Sequence, residues 1–369
     1  MTLSLRRDTV KLKKVFILVV AVMLSTLLSG CSASAMRSNS WAGLSTDAEK
    51  AYLANGSFVY AINLNNGNQA WQYPSEKADP KESFFATPVL TEDGQLLIAS
   101  AGTNHSLISL NPANGSTNWT FSDPEGIWIA SPIMVDETIY APNTDGKLYA
   151  LDLDGNFLWA KHIGGALWSQ PVSDGEFLYI NSLDHYLYAF SISAQDVIWE
   201  TEVGGAIPGS PVLDADGTLY LGSFDAKVEA IDPSTHSIKW SFGTEGWIWD
   251  APVIEKDTLY VGDLDGNFYA INTSDGRQIW SPIQPNGTII GSPLITEDFI
   301  VIGTESGSAY AINSEGAIVW QQAIGGKLYT SPVQGGDLII FSPMEMENKA
   351  LLVALDFEGR QVWQFTLEN

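Results

Sequence analysis

Beyond residue 40 the chain is written in short runs of alternating apolar and polar residues, broken at regular intervals by turn residues. Residues 210–240 show the unit clearly. Ser210-Pro211-Val212-Leu213 opens one run, Asp216-Gly217 turns, and Thr218-Leu219-Tyr220-Leu221 forms a second. Lys227 to Ile231 is a third, Pro233 to His236 turns again, and Ser237 to Trp240 opens a fourth. A period of two with Gly, Pro, Asp and Ser between the runs predicts antiparallel strands, four to a unit.

The unit repeats. Ala61 to Trp71, with Gly67 inside it, returns as Ser109 to Trp119, Ala150 to Trp159, Ala189 to Trp199, Ala230 to Trp240, Ala270 to Trp280, Ala311 to Trp320 and Ala354 to Trp363. The closing tryptophans stand 48, 40, 40, 41, 40, 40 and 43 residues apart. An X-Pro pair precedes seven of the units, from Thr87-Pro88 to Ser331-Pro332, with a small residue before the proline in all but Gln170-Pro171, whereas the first reads Trp41-Ala42-Gly43-Leu44. About 40 residues and four strands per repeat is the mark of a propeller blade, so the fold class is all-β, an eight-bladed β-propeller over 41–369. One four-stranded sheet cannot bury both faces, but eight in a ring can. The eight tryptophans are expected to be structural, packing flat between neighbouring blades, with a glycine turning left-handed before them. Gln195 and His236 replace that glycine, so their turns are expected to be looser or of another type.

The first thirty residues break the pattern. Arg6, Arg7, Lys11, Lys13 and Lys14 are followed by an apolar run from Val15 to Leu28, interrupted only by Ser25 and Thr26. That run is shorter than the roughly 20 residues of a membrane span and fits a signal-peptide core. Leu28-Ser29-Gly30-Cys31 resembles a bacterial lipobox, and Cys31 is the chain's one cysteine. The expected organisation is a lipoprotein signal peptide over 1–30, a small, polar tether over 31–40 acylated at Cys31, then the propeller. Two fatty chains suffice for stable anchoring, so membrane contact is expected through the lipid alone.

Composition sharpens this reading. Charged residues make up 17% and hydrophobic ones 45%, enough for a core. The net charge is −25, and −29 once the basic first thirty residues are set aside. Such a surface repels nucleic acid and anionic lipid and favours basic partners or cations, although acidity also simply keeps an exported protein soluble.

The Ala-x-Asp/Asn-x-x-x-Gly-x-x-x-Trp run resembles the tryptophan-docking motif of pyrroloquinoline-quinone-type propeller repeats. With the lipobox before it and eight blades behind, the chain resembles BamB-type lipoproteins. That resemblance implies a non-enzymatic scaffold with protein partners such as β-barrel assembly components; a monomeric propeller is expected, and the lipobox places it in the bacterial cell envelope, on the cytoplasmic or the outer membrane. The alternative is a quinone-dependent dehydrogenase-like propeller, or a binder of small ligands or cations. Quinoproteins of this class hold the quinone over calcium and often stack it on a disulfide of adjacent cysteines, a feature this chain lacks. No cofactor is expected.

Other chemistry is weakly signalled. Asp152-Leu-Asp154-Gly155, Asp214-Ala-Asp216-Gly217 and Asp263-Leu-Asp265-Gly266 begin like calcium loops but lack the later ligands, and hairpin turns explain them better. His105, His162, His185 and His236 are scattered singly, without zinc spacing. No catalytic or metal residue is named. The connections into each first strand carry Phe84, Phe85, Trp128, Trp168, Trp247, Trp249 and Tyr329, with Asp250 beside Trp249. Either they fill wedge-shaped gaps between blades, or they lie exposed at the channel mouth and hold a peptide or small ligand. On the second reading the guest is an extended peptide or a strand edge.

Overall fold

The computed structural model describes residues 41–367. The signal-like segment, Cys31 and the tether lie outside the described residues. From Trp41 onward the chain forms eight successive antiparallel sheets arranged as propeller blades. Blade 1 runs Gly43–Thr46, Lys50–Asn55, Phe58–Asn63 and Gln69–Tyr73 from the axis outward. Those four positions are called A to D in every blade. Because neighbours are antiparallel, the D-to-A and B-to-C connections share one face, and the A-to-B and C-to-D turns share the other.

Burial follows position in the blade. The middle strands, such as Lys50–Asn55 and Phe58–Asn63, are buried along their length, because each blade is sandwiched between two others. Outer strands such as Asp196–Glu202 alternate between exposed and half-buried residues. The core is divided among the gaps between blades. Between blades 5 and 6, for instance, Tyr220, Val228 and Ala230 meet Leu259, Val261 and Tyr269.

The repeated motif has a direct mechanical role. Its small head residue pairs across the strands with its tryptophan, as in Ala61↔Trp71 and Ala230↔Trp240, and a register shift follows immediately. The indole then crosses to the next blade. There it lies on the C-to-D glycine, and a Cβ on Gly115 would stand 2.6 Å from the Trp71 ring. Trp71 Nε1 also donates to the Pro112 carbonyl at 2.9 Å. Trp119, Trp240, Trp320 and Trp363 repeat this with Leu153, Thr273, Phe357 and Leu64.

Two expectations need correction. The turns at Gln195 and His236 are not of another type: both residues take the left-handed conformation of the glycines they replace, with φ of 53° and 56°. His236 recovers something by stacking on Trp199 at 4.9 Å. Blade 6 has only three regular strands, since Pro282 cannot donate to a ladder and its outer segment keeps just the bridges Ile271↔Gln278 and Phe268↔Ile283.

Blades 1 and 8 are each built from one continuous stretch, so the ring closes through side chains rather than a shared sheet. Thr46 Oγ1 donates to the Gln334 carbonyl at 2.6 Å, and Thr330 Oγ1 to that of Ala42 at 2.8 Å. Trp363 completes the closure on Leu64 and Gly67.

Candidate functional site

Each D-to-A connection enters the axis in one register, counted back from the proline that opens strand A. The residue four before it is buried in the wedge between blades: Phe84, Trp128, Leu167, Ile207, Ile248, Ile289 and Leu328. The next residue turns to the channel and is half-buried: Phe85, Ile129, Trp168, Pro208, Trp249, Ile290 and Tyr329. Trp41 supplies the same place in blade 1, where Leu44 stands for the proline. Eight blades thus set eight apolar side chains around a funnel of about 230 Å³.

This register separates residues that look alike in the sequence. Trp168, Trp249 and Tyr329 line the funnel, with Phe85. Trp128 does not: it is fully buried between blades 2 and 3, its Nε1 donating to the His105 carbonyl at 2.7 Å and its ring edge-on to Tyr149. Phe84 is a wedge residue as well. Trp247 sits one place before the wedge and points outward, 55% exposed. The wedge-filling and exposed readings therefore each hold for part of the set.

Asp250 follows Trp249 and clasps the inner ring. One carboxylate oxygen accepts from the Ser292 amide at 3.0 Å and from Ser331 Oγ at 2.9 Å, and the other from the Ala251 amide at 2.8 Å. It thereby ties together blades 6, 7 and 8. Similar cross-ring bonds run from Ser131 Oγ to the Thr87 carbonyl and from Gln170 Nε2 to that of Pro132.

Two contributors were missed. Trp41 stacks edge-on with Trp249 at 5.9 Å, and Phe224, in the B-to-C turn of blade 5, lies 5.4 Å from both Trp249 and Trp247. The Trp41 signal was available, since Trp41-Ala42-Gly43-Leu44 aligns with the proline register. Phe224 carried none, because only folding brings the B-to-C turns beside the D-to-A connections.

Among the described residues Asp250 is the one charged side chain lining the funnel, and it is engaged by three protein donors. Residues that would hold a quinone over calcium need several free oxygen ligands, and the lining does not fit that group. Among the described residues no three His, Cys, Asp or Glu side chains converge on a point. The Asp-x-Asp-Gly runs are turns: Asp152 and Asp214 each accept amides two and four residues ahead. Asp263 is buried and accepts from Asn267, Gly246 and Tyr269. Burial and that carboxylate push the Tyr269 hydroxyl far above its ordinary range, so it stays a hydrogen-bond donor.

One buried acid stands apart. Glu229 occupies the strand position held by Tyr149, Tyr188 and Tyr269 in blades 3, 4 and 6. It is 3% exposed; one oxygen accepts from Ser241 Oγ at 3.0 Å and the other has no partner. Burial, reinforced by Asp225, raises its pKa.

The profile of a family described as outer membrane protein assembly factor BamB matches residues 42–240, 183–293 and 284–369. The BamB protein of Moranella endobia is 24% identical over 279 residues, which is 69% of this chain and 67% of that protein. BamB of Yersinia pestis is 25% identical over 236 residues, 59% of this chain and 57% of its own length. The crystal structure of BamB from Moraxella catarrhalis superimposes with a TM-score of 0.68 at 18% identity, covering 88% of this chain and 94% of that one, which shows a shared fold. With the repeat, the blade count and the profile agreeing along the whole propeller, this chain belongs to the family of outer membrane protein assembly factor BamB.

Proposed function

We propose that this protein is a scaffold of the bacterial cell envelope that serves outer-membrane protein assembly by binding other proteins, without chemistry of its own. The observation that carries the reading is the family match across 42–369, the entire propeller. A funnel walled by eight apolar side chains, whose one carboxylate is spent on holding the ring, supports a binding role over a catalytic one. Its volume also lies below the roughly 300–1,000 Å³ of ordinary small-molecule sites, which weighs against a cofactor. The signal-like segment and Cys31 support anchoring through lipid, on either the cytoplasmic or the outer membrane.

The test is chemical cross-linking in intact cells, capture of the tagged full-length protein and mass spectrometry. Recovery of β-barrel assembly components is the expected result. Recovery of redox carriers alone would sink the scaffold reading. The anchor is tested separately by a Cys31→Ser variant, which is expected to lose metabolic palmitate labelling and to leave the membrane fraction.

A further inference from the structure

We infer that the funnel face docks an extended polypeptide segment bearing aromatic and basic side chains, along a ladder of rings that runs from the funnel to the outer surface of blades 5 and 6. The inference rests on the scaffold reading and specifies the chemistry of one occupant.

The ladder is continuous. Trp41 meets Trp249 at 5.9 Å, Trp249 meets Phe224 at 5.4 Å, and Phe224 stacks on Trp247 at 5.4 Å with 24° between the planes. Its inner end is in the funnel, and its outer end is Trp247, 55% exposed. The corresponding places in other blades hold Ser83, Ile127, Ala166, Ala206, Thr288 and Lys327, none of them exposed. The fold asks little of that indole. What blade 6 uses there is the Trp247 carbonyl, which accepts the Leu264 amide at 2.9 Å, as the Ala166 carbonyl accepts that of Leu183. A large ring presented to water with no structural duty is the kind of group that anchors a partner.

Charge selects the guest. Glu245 and Asp265 are exposed beside Gly246, next to Trp247. Neither has an ion-pair partner among the described residues, whereas Asp225 nearby is neutralised by Lys227 at 2.5 Å. A Lys or Arg side chain over the Trp247 face would gain a cation–π contact and two free carboxylates together. The −29 charge outside the first thirty residues draws basic segments in and repels anionic lipid. The conformation follows from spacing. Alternate side chains of an extended chain recur about every 6.6 Å, close to the ladder's step. The funnel admits a side chain rather than a folded element.

The experiment is a fluorescence-anisotropy titration of the full-length protein in detergent against a dye-labelled peptide, Phe-Ser-Phe-Ser-Lys-Ser-Lys. Versions with Glu for Lys and with Ala for Phe serve as comparisons. The parent peptide is expected to bind at least about 10-fold more tightly than either, and to weaken as salt is raised. Trp247→Ala and Trp249→Ala should each weaken it by about 10-fold. Ile198→Ser, on the outer strand of blade 4, should leave it unchanged. Absence of binding by the parent peptide, equal binding of the Glu version, or unaltered binding by both tryptophan variants would overturn the inference. So would a comparable loss in Ile198→Ser, which would mark non-specific adhesion. Cross-linking capture with Trp247→Ala separates the two claims. If the peptide fails but capture of assembly components persists, the docking inference falls and the scaffold reading stands.

Discussion

At the C-to-D turns, a tryptophan from each blade reaches the next: Trp71 to Gly115, Trp240 to Gly276, Trp363 to Gly67. Around the funnel, an equally regular register sets eight side chains of five kinds, from Trp41 to Tyr329. The backbone is periodic at both faces, but at one the side chains repeat, with Gln195 and His236 departing from the turn glycine, and at the other they vary. Where every blade must solve the same packing problem, the residues agree. Where the ring is closed and a cavity remains, packing leaves the inner residue free to differ: it is aromatic in blades 1, 2, 4, 6 and 8 and aliphatic in blades 3, 5 and 7. The tryptophan face accordingly carries stability, and the funnel face is where the proposed recognition would act.

That contrast breaks most severely if the docking tryptophans prove dispensable. Trp363→Ala removes a buried indole, its bond to Leu64 and the closure between blades 8 and 1. A loss of about 3–5 kcal/mol is expected, read from urea unfolding. Since blades 1 and 8 share no sheet, the transition is also expected to become less cooperative. A loss below about 1 kcal/mol would show that the ring does not depend on its seam.

Asp250 is the exception at the funnel face, a charged residue held in cross-blade hydrogen bonds among uncharged lining residues. Asp250→Ala removes the acceptor of the Ser331 hydroxyl and of the Ala251 amide, while the Ser292 amide keeps Ser331 Oγ at 2.8 Å, and about 1–3 kcal/mol of destabilisation is expected in the same assay. An unaltered midpoint would reassign Asp250 to ligand binding.

Glu229 sharpens the comparison from within the core. Its folded pKa is raised by burial and by Asp225, above an unfolded value of about 4.3. The folded state therefore holds this proton more tightly than the unfolded one. Stability from this group is complete below pH ~4.3 and is lost as pH rises through the folded value. Glu229→Gln should abolish that part of the pH dependence, leaving the variant more stable than the parent at pH 8, with the gap narrowing at pH 4. Parallel urea midpoints across that range in parent and variant would refute the assignment.

The smallest stability effect is expected at the ladder's outer end. Trp247→Ala should shift the unfolding free energy by less than about 0.5 kcal/mol, because the ring is mostly in water and its backbone bond survives. A larger loss would move Trp247 from recognition to structure.

Much of this protein was determined by its sequence alone. The spacing of Trp71 to Trp363, the alternating runs and the X-Pro starts specify eight antiparallel blades, because each is a local pattern that only one packing of repeated sheets satisfies. The left-handed turns were legible where glycine marks them. They were not at Gln195 and His236, where tertiary packing holds non-glycine residues in a conformation their own propensities disfavour. The mouth aromatics were visible as a set but not as individuals. One step of register along equivalent connections, three, four or five residues before the proline, separates half-buried Trp249, buried Trp128 and exposed Trp247, and no composition encodes that. The meeting of Trp41, Trp249 and Phe224 was decided only by the closed ring. It brings together side chains far apart in the chain, and contacts of that kind depend on geometry accumulated blade by blade, not on any local run of residues.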